Sequence, residues 1–289
     1  MSAEVPVPDT GEVVSAITVA LAGLVPSDAR VAQVILGDPG QVIRLSITEL
    51  AELAGTASST VVHACKALGY RGFQDLKLAL AKDLGGAKGV RHAELPDNPA
   101  PGDVLRSVLS RSAQTLMAGL NTVDDAAFAA AVKALRSARR ILVAGFGTSR
   151  APAEDIAYRL SLIGRDVSAP GDVLALHHAA RRLRPGDVLL AVSYTGGTRE
   201  TVETADLALE RGATVIALTS HRKSLLTERA TLSLVAGAPE GGFRLEAMTS
   251  RLAHLALADA LYVAVAYADP EVAASALDDA AAVTAIHSF

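Results

Sequence analysis

From residue 140 onward, short apolar runs alternate with stretches of helical periodicity, and this alternation constrains the fold more than any other feature of the sequence. Each run is too short to be a helix and is followed by a turn and an amphipathic segment. The runs that we interpret as strands are residues 141–144, 166–169, 188–192, 214–219 and 232–235. Strands that alternate with helices form a parallel sheet covered on both faces. The sequence therefore predicts an α/β domain with a five-stranded parallel sheet.

Two of the turns that follow these runs are rich in glycine and hydroxyl groups. Residues 145–149 (GFGTS) follow the first run, and residues 193–198 (SYTGGT) follow the third. Glycine lets the backbone come close to a ligand, and a helix that begins after such a turn offers N–H groups to an anion. In a sheet of strand order 2-1-3-4-5, both turns flank the topological switch point, where ligands bind. We predict an anion site there, with an ordinary polar turn in each place as the alternative.

The first turn resembles a dinucleotide-binding fingerprint but does not complete it. Gly145 and Gly147 are followed at the third glycine position by Arg150. No acidic residue stands at the end of a clear second strand, where it would hold a ribose. We therefore expect no nucleotide cofactor.

The composition limits the other classes of function. The chain has 289 residues, of which half are hydrophobic and 3% aromatic, enough for about two domains with aliphatic cores. The single cysteine, Cys65, excludes an intrachain disulfide and a cysteine metal cluster, and no other cluster has metal-ligand spacing. We expect no metal and no cofactor. Because we see neither a signal peptide nor a charge-free apolar run of about 18 residues, we expect a cytoplasmic protein that does not contact a membrane.

A helix, a short glycine turn and a second helix occupy residues 46–68. Ser46 has Glu49 three residues further on, which is the spacing of a capping box, and Gly55 marks the turn. This layout is typical of a helix-turn-helix, whose second helix enters the major groove with its N-terminal residues leading. The candidate DNA-contacting residues there and on the following helix are Ser58, Ser59, His63, Lys66, Arg71 and Lys77.

The alternative is a small helical bundle without DNA binding, because acidic residues outnumber basic ones in residues 1–85. In either case the chain divides into a tail over residues 1–12, an all-α domain over 13–84, a Gly- and Pro-rich linker over 85–102, and the α/β domain over 103–289.

Both halves of the sequence resemble known families. Residues 140–265 resemble a SIS (sugar isomerase) domain, a flavodoxin-like phosphosugar-binding fold, through the two turns described above and residues 246–251 (EAMTSR). Residues 13–82 resemble the helix-turn-helix domain of RpiR-type (MurR/RpiR) transcriptional regulators. The matching runs there are residues 46–54, 60–62 and 68–77.

The resemblance implies a set of site residues. It places the phosphate of a sugar-phosphate effector against the two turns and the sugar against Glu246. The phosphate-binding residues that it implies are Gly147, Thr148, Ser149, Ser193, Thr195, Gly196, Gly197 and Thr198. In the helix-turn-helix, a serine usual at the turn is Ala57 here, and an arginine usual in the recognition helix is His63.

The leading hypothesis is therefore a DNA-binding regulator, not an enzyme, that responds to a sugar phosphate and acts on an operator as a homodimer or homotetramer. The alternative is an aldose–ketose isomerase with Glu246 as the base, since proton abstraction beside a carbonyl requires a positioned carboxylate. A dimeric scaffold with an inactive ligand site is a third possibility.

Overall fold

The computed structural model of the chain describes residues 13–85, 98–119, 122–237 and 248–287. The predicted tail and most of the predicted linker lie outside these ranges. The described residues form two compact units, one up to Arg111 and one from Ser112 onward.

The first unit contains a bundle of short helices around a small aliphatic core. Its helices are α1 (Val13–Ala20), α2 (Pro26–Gly37), α3 (Pro39–Val42), α4 (Ile47–Leu53), α5 (Ser58–Ala67) and α6 (Phe73–Gly85). Val31, Leu50, Val61 and Leu76 are fully buried in one cluster. Cys65 belongs to the same cluster, and burial raises the pKa of its thiol to about 12, so it acts as a small apolar residue.

Helix α4 begins at the predicted capping box. The Glu49 N–H donates to the Ser46 hydroxyl, and the Ser46 N–H donates to the Glu49 carboxylate. Gly55 then reverses the chain with φ +59°, a conformation that glycine adopts without strain, and α5 follows. The helix-turn-helix predicted from the sequence is therefore present.

Loss of this cap should destabilise the helical unit. We expect Ser46→Ala to lower its free energy of unfolding by about 1 kcal/mol, because a helical N–H loses its acceptor. Urea unfolding followed by circular dichroism measures the effect. Ser137→Ala, at an exposed serine outside this unit, is the control and should change stability by less than about 0.5 kcal/mol. Equal stability of Ser46→Ala and the wild type would contradict the role of the cap.

The second unit is built on the predicted parallel sheet. Its strands are β1 (Ile141–Gly145), β2 (Val167–Ser168), β3 (Val188–Val192), β4 (Thr214–Thr219) and β5 (Leu232–Val235). They pair in parallel in the order β2-β1-β3-β4-β5, which confirms the predicted fold class and strand order.

Helices cover both faces of this sheet. Helix α7 (Pro101–Gly119) begins in the first unit and ends in the second. The helices that follow it are α8 (Asp125–Ser137), α9 (Arg150–Leu162), α10 (Val173–Ala180), α11 (Arg199–Glu210), α12 (Met248–Ala268) and α13 (Pro270–Ile286). Ile141 and Val143 of β1 belong to a cluster with α8, α9 and α12, whereas Leu142 and Ala144 belong to one with α10 and α11. Alternate residues of β1, β3 and β4 thus fill two cores, as expected where both faces are covered.

Helix α12 is long and apolar enough to cross a membrane by length and composition alone. In this fold Ala258, Leu261 and Val265 of α12 lie fully buried in the cluster against the sheet. Packing within the α/β unit therefore accounts for part of its apolar character, since 33% of the apolar stretch is buried.

Candidate functional site

The two glycine- and hydroxyl-rich turns lie side by side at the carboxyl edge of the sheet. Strands β1 and β3 are neighbours, and their last residues, Gly145 and Val192, are paired. The turns that follow are joined directly, since the Tyr194 N–H donates to the Ser149 hydroxyl oxygen at 3.1 Å. The sheet therefore brings together the two motifs that the sequence places 45 residues apart.

The turn after β1 is held close to the following helix. A Cβ at Gly145 would lie 2.6 Å from the Ala153 Cβ and 2.7 Å from the Ser149 carbonyl oxygen, so only glycine fits. Gly147 and Thr148 are exposed, whereas Ser149 is buried at the start of α9. The Ser149 side chain does not cap the helix. Because its oxygen accepts from Tyr194, its hydroxyl hydrogen can be donated to another group.

The turn after β3 carries the second group of hydroxyls. Ser193 is fully buried, and its Oγ lies 3.0 Å from the Thr198 Oγ1. The Thr195 Oγ1 accepts from the Gly197 N–H at 3.2 Å. Thr198 precedes α11 without capping it through its side chain. Helix α11 thus begins at this edge without a side-chain cap, and its first N–H groups are the kind that bind anions. Helix α9 instead continues a 3-10 turn over Gly147–Ser149, and the Arg150 N–H donates to the Gly147 carbonyl.

The turn after β3 is held in place by contacts from residues at and after the end of β4, and the sequence analysis did not predict these contacts. Gly196 has φ +61°, and a Cβ there would overlap the Ser224 hydroxyl and lie 2.5 Å from the Ser224 Cβ. The Leu226 N–H donates to the Gly196 carbonyl, and the Thr219 hydroxyl donates to the Tyr194 carbonyl. Only the hydroxyls at and just after the end of β4, such as Thr219 and Ser224, could have signalled this role in the sequence.

The cationic side chains that begin α9 and α11 at this edge are both paired with carboxylates. Arg150 and Arg199 are the first residues of α9 and α11, and each forms an ion pair one turn further along its helix, with Glu154 and Glu203 respectively. Arg150 also donates to the Gly171 carbonyl. The arrangement suits a small anion bound by N–H and hydroxyl donors. Glu246, the predicted sugar contact, lies outside the described residues.

A buried histidine stands beneath the ends of β4 and β5. His254 on α12 has its Nε2 3.1 Å from the Ser220 Oγ, and that hydroxyl donates to the Ala236 carbonyl. The Ser220 oxygen therefore accepts from His254. Burial lowers the pKa of His254 to about 4, which keeps the ring neutral near neutral pH.

Most of the predicted DNA-contacting residues lie on the surface of the helix-turn-helix. Ser59, His63 and Lys66 of α5 and Arg71 after it are exposed, and Ser58 is half-buried. Lys77 is different.

Lys77, by contrast, is buried, with a side chain that is 6% exposed. Its ammonium donates to the Leu45 carbonyl at 2.9 Å and lies over the Phe73 ring. We therefore leave Lys77 out of the candidate DNA surface.

Comparisons with known proteins agree with this architecture. The family model described as a helix-turn-helix domain of the rpiR family matches residues 11–86, and the SIS domain model matches residues 134–264. The HTH-type transcriptional regulator HexR of Pseudomonas aeruginosa is 34% identical over 239 residues, which is 83% of this chain and 84% of HexR. The chain belongs to the RpiR family of transcriptional regulators. The HTH-type regulator YfhH of Escherichia coli is likewise 34% identical, over 87% of this regulator and 90% of YfhH.

A solved structure is similar over nearly the whole regulator. NanR of Vibrio vulnificus, solved in complex with ManNAc-6P, has a TM-score of 0.84 and 27% identity, covering 96% of this chain and 100% of that one. The sugar isomerase domain of an RpiR transcription factor from Sphaerobacter thermophilus has a TM-score of 0.55 and 27% identity, over 62% and 98% of the two chains.

Proposed function

We propose that this regulator binds the phosphate group of a sugar-phosphate effector between the turn after β1 and the turn after β3. The observation that carries the proposal is the hydrogen bond from the Tyr194 N–H to Ser149, which joins the two turns beside the Ser193–Thr198 pair. A phosphate dianion needs several converging donors, and here hydroxyls converge with the uncapped start of α11. The complex of the related NanR with ManNAc-6P supports a phosphorylated sugar as the ligand class.

The remaining residues of the site have distinct roles in this proposal. The Ser149, Ser193 and Thr198 hydroxyls and the backbone of Gly147 and Thr148 face the phosphate. Thr195, Gly196 and Gly197 shape the second turn, and Glu246 contacts the sugar hydroxyls. The exposed residues of α5, together with Arg71, contact the operator. The protein is a homodimer or homotetramer in this proposal, and its affinity for the operator changes because the effector binds better to one arrangement of the subunits than to another.

Single hydroxyl deletions test the phosphate site. We expect Ser149→Ala and Thr198→Val each to weaken sugar-phosphate binding by about 1–3 kcal/mol, or about 5- to 150-fold, because a charged group loses a hydrogen bond. Isothermal titration calorimetry with hexose and amino-sugar phosphates measures the affinities. Ser161→Ala, which removes an exposed hydroxyl on α9, is the matched control and should bind as the wild type does. Wild-type affinity in both site variants would overturn the assignment.

The regulatory part of the proposal is tested with DNA. The full chain should capture a limited set of genomic fragments, and a sugar phosphate that binds in calorimetry should change the amount captured. Failure to enrich any fragment would contradict operator binding. An isomerase remains the second candidate, since the fold is shared with sugar-phosphate isomerases; sugar-phosphate turnover that Glu246→Gln abolishes would favour it.

A further inference from the structure

A buried carboxylate holds one end of a histidine on the second helix of the helix-turn-helix. The Nδ1 of His63 on α5 lies 2.7 Å from the Oδ2 of Asp28 on α2. The Asp28 side chain is 2% exposed, whereas the His63 side chain is 70% exposed. The imidazole is therefore anchored on the protein side and open to solvent on the other.

This contact determines which ring nitrogen carries the hydrogen. A carboxylate only accepts hydrogen bonds, so the His63 Nδ1 must be the donor. In the neutral ring the other nitrogen, Nε2, then has a lone pair and no hydrogen. While the ring is neutral, its exposed side thus presents a hydrogen-bond acceptor.

An acceptor at this position has a defined partner in the major groove. The exocyclic amino groups of adenine (N6) and cytosine (N4) are the donors that base edges present there. We propose that Asp28 is a positioning residue that fixes the Nδ1–H form of His63, so that α5 offers Nε2 to a base amino group. The proposal rests on the proposed operator binding by α5. An arginine at position 63 would instead donate to guanine O6 and N7, so the Asp28–His63 pair changes which group of the base edge is contacted.

The choice of base can be measured without knowing the operator. The full chain is incubated with a pool of duplexes of randomised sequence, and the bound duplexes are sequenced. Each base pair carries one such amino group, at its own place in the groove, so the wild type should prefer one base pair, in one orientation, at one position of each half-site by about fivefold. His63→Ala should lose the preference at that position and keep it elsewhere.

Variants of Asp28 separate positioning from simple structural support. Asp28→Ala should remove the same preference although His63 is still present, and should add nothing to His63→Ala in the double variant. Asp28→Asn should retain it, because the amide oxygen can still accept from Nδ1. A general loss of affinity in Asp28→Ala that is equally large in the His63→Ala background would overturn the proposal. So would a preference at that position that depends on His63 but that Asp28→Ala leaves unchanged.

A spectroscopic measurement holds even if Asp28→Ala fails to fold. In the full wild-type chain labelled with ¹⁵N-histidine, the His63 signals, assigned by their loss in His63→Ala, should show a protonated Nδ1 and an unprotonated Nε2. A protonated Nε2 under the conditions of the selection would overturn the proposal. Selection of no sequence at all would instead remove the operator binding on which it rests, and the two failures are thereby distinguished.

Discussion

Replacing Gly196 with alanine is expected to destabilise the α/β unit by about 2–5 kcal/mol and to abolish effector binding. Two causes add together. The residue has φ +61°, where a side chain costs about 1–2 kcal/mol, and the new Cβ would overlap the Ser224 side chain, where overpacking costs about 1–3 kcal/mol. The turn can accept the methyl group only by moving away from Ser224, which displaces Tyr194 from Ser149. Urea unfolding and calorimetry measure the two consequences.

Gly147→Ala separates these causes. Gly147 has φ +55° in the neighbouring turn, but a Cβ there meets no atom within 4 Å. Gly147→Ala should therefore lower the free energy of unfolding only by the cost of a side chain at positive φ, about 1–2 kcal/mol. Ser224→Gly in the Gly196→Ala background removes the overlapping atoms and should restore part of the loss. Equal destabilisation by the two alanine substitutions would contradict the role given to Ser224.

Acidification is expected to destabilise the α/β unit through His254. The pKa of the ring is lowered to about 4 by burial, whereas in the unfolded chain it returns to the ordinary value of 6.5. Between these values the unfolded state binds the proton that the folded state excludes. The stabilisation is therefore complete above pH 6.5 and is lost as the pH falls to about 4, by about 3 kcal/mol in all.

A variant that cannot titrate isolates this contribution. His254→Gln can still donate to the Ser220 oxygen, but it cannot take up a proton. Between pH 6.5 and 4 its free energy of unfolding should therefore fall by about 3 kcal/mol less than that of the wild type. Carboxylates with lowered pKa values, such as Asp269, titrate alike in both proteins. His287→Gln, at an exposed histidine, should follow the wild-type curve. Parallel curves for His254→Gln and the wild type would show that His254 is not held neutral.

The sheet could be predicted from the sequence because its strands are continuous apolar runs with clear turns between them. The approach of Ser149 to residue 194 followed from the strand order alone. The segment 222–229, which forms bends and turns, could not be predicted from the sequence in the same way. They are held by contacts to Gly196 from another part of the chain, such as the hydrogen bond from Leu226.

Contacts between side chains far apart in the sequence also could not be predicted. Lys77 and Arg71 both look like surface cations, but Lys77 extends along the Phe73 ring to the Leu45 carbonyl and is buried. The contact between Asp28 and His63 joins residues 35 positions apart, and no local pattern marks it.

Helix α13 follows α12 after one residue and was not predicted; it begins at Pro270, where proline suits the first helical turn.

The phosphate site is tested most directly by comparing one sugar with and without its phosphate. In calorimetry with the full chain, at least one hexose or amino-sugar phosphate should bind, and the same sugar lacking the phosphate should not. The double variant Ser193→Ala, Thr198→Val should weaken that binding at least about tenfold, because both hydroxyls of the pair are lost. Binding of the unphosphorylated sugar with equal affinity, or undiminished binding by the double variant, would contradict the account.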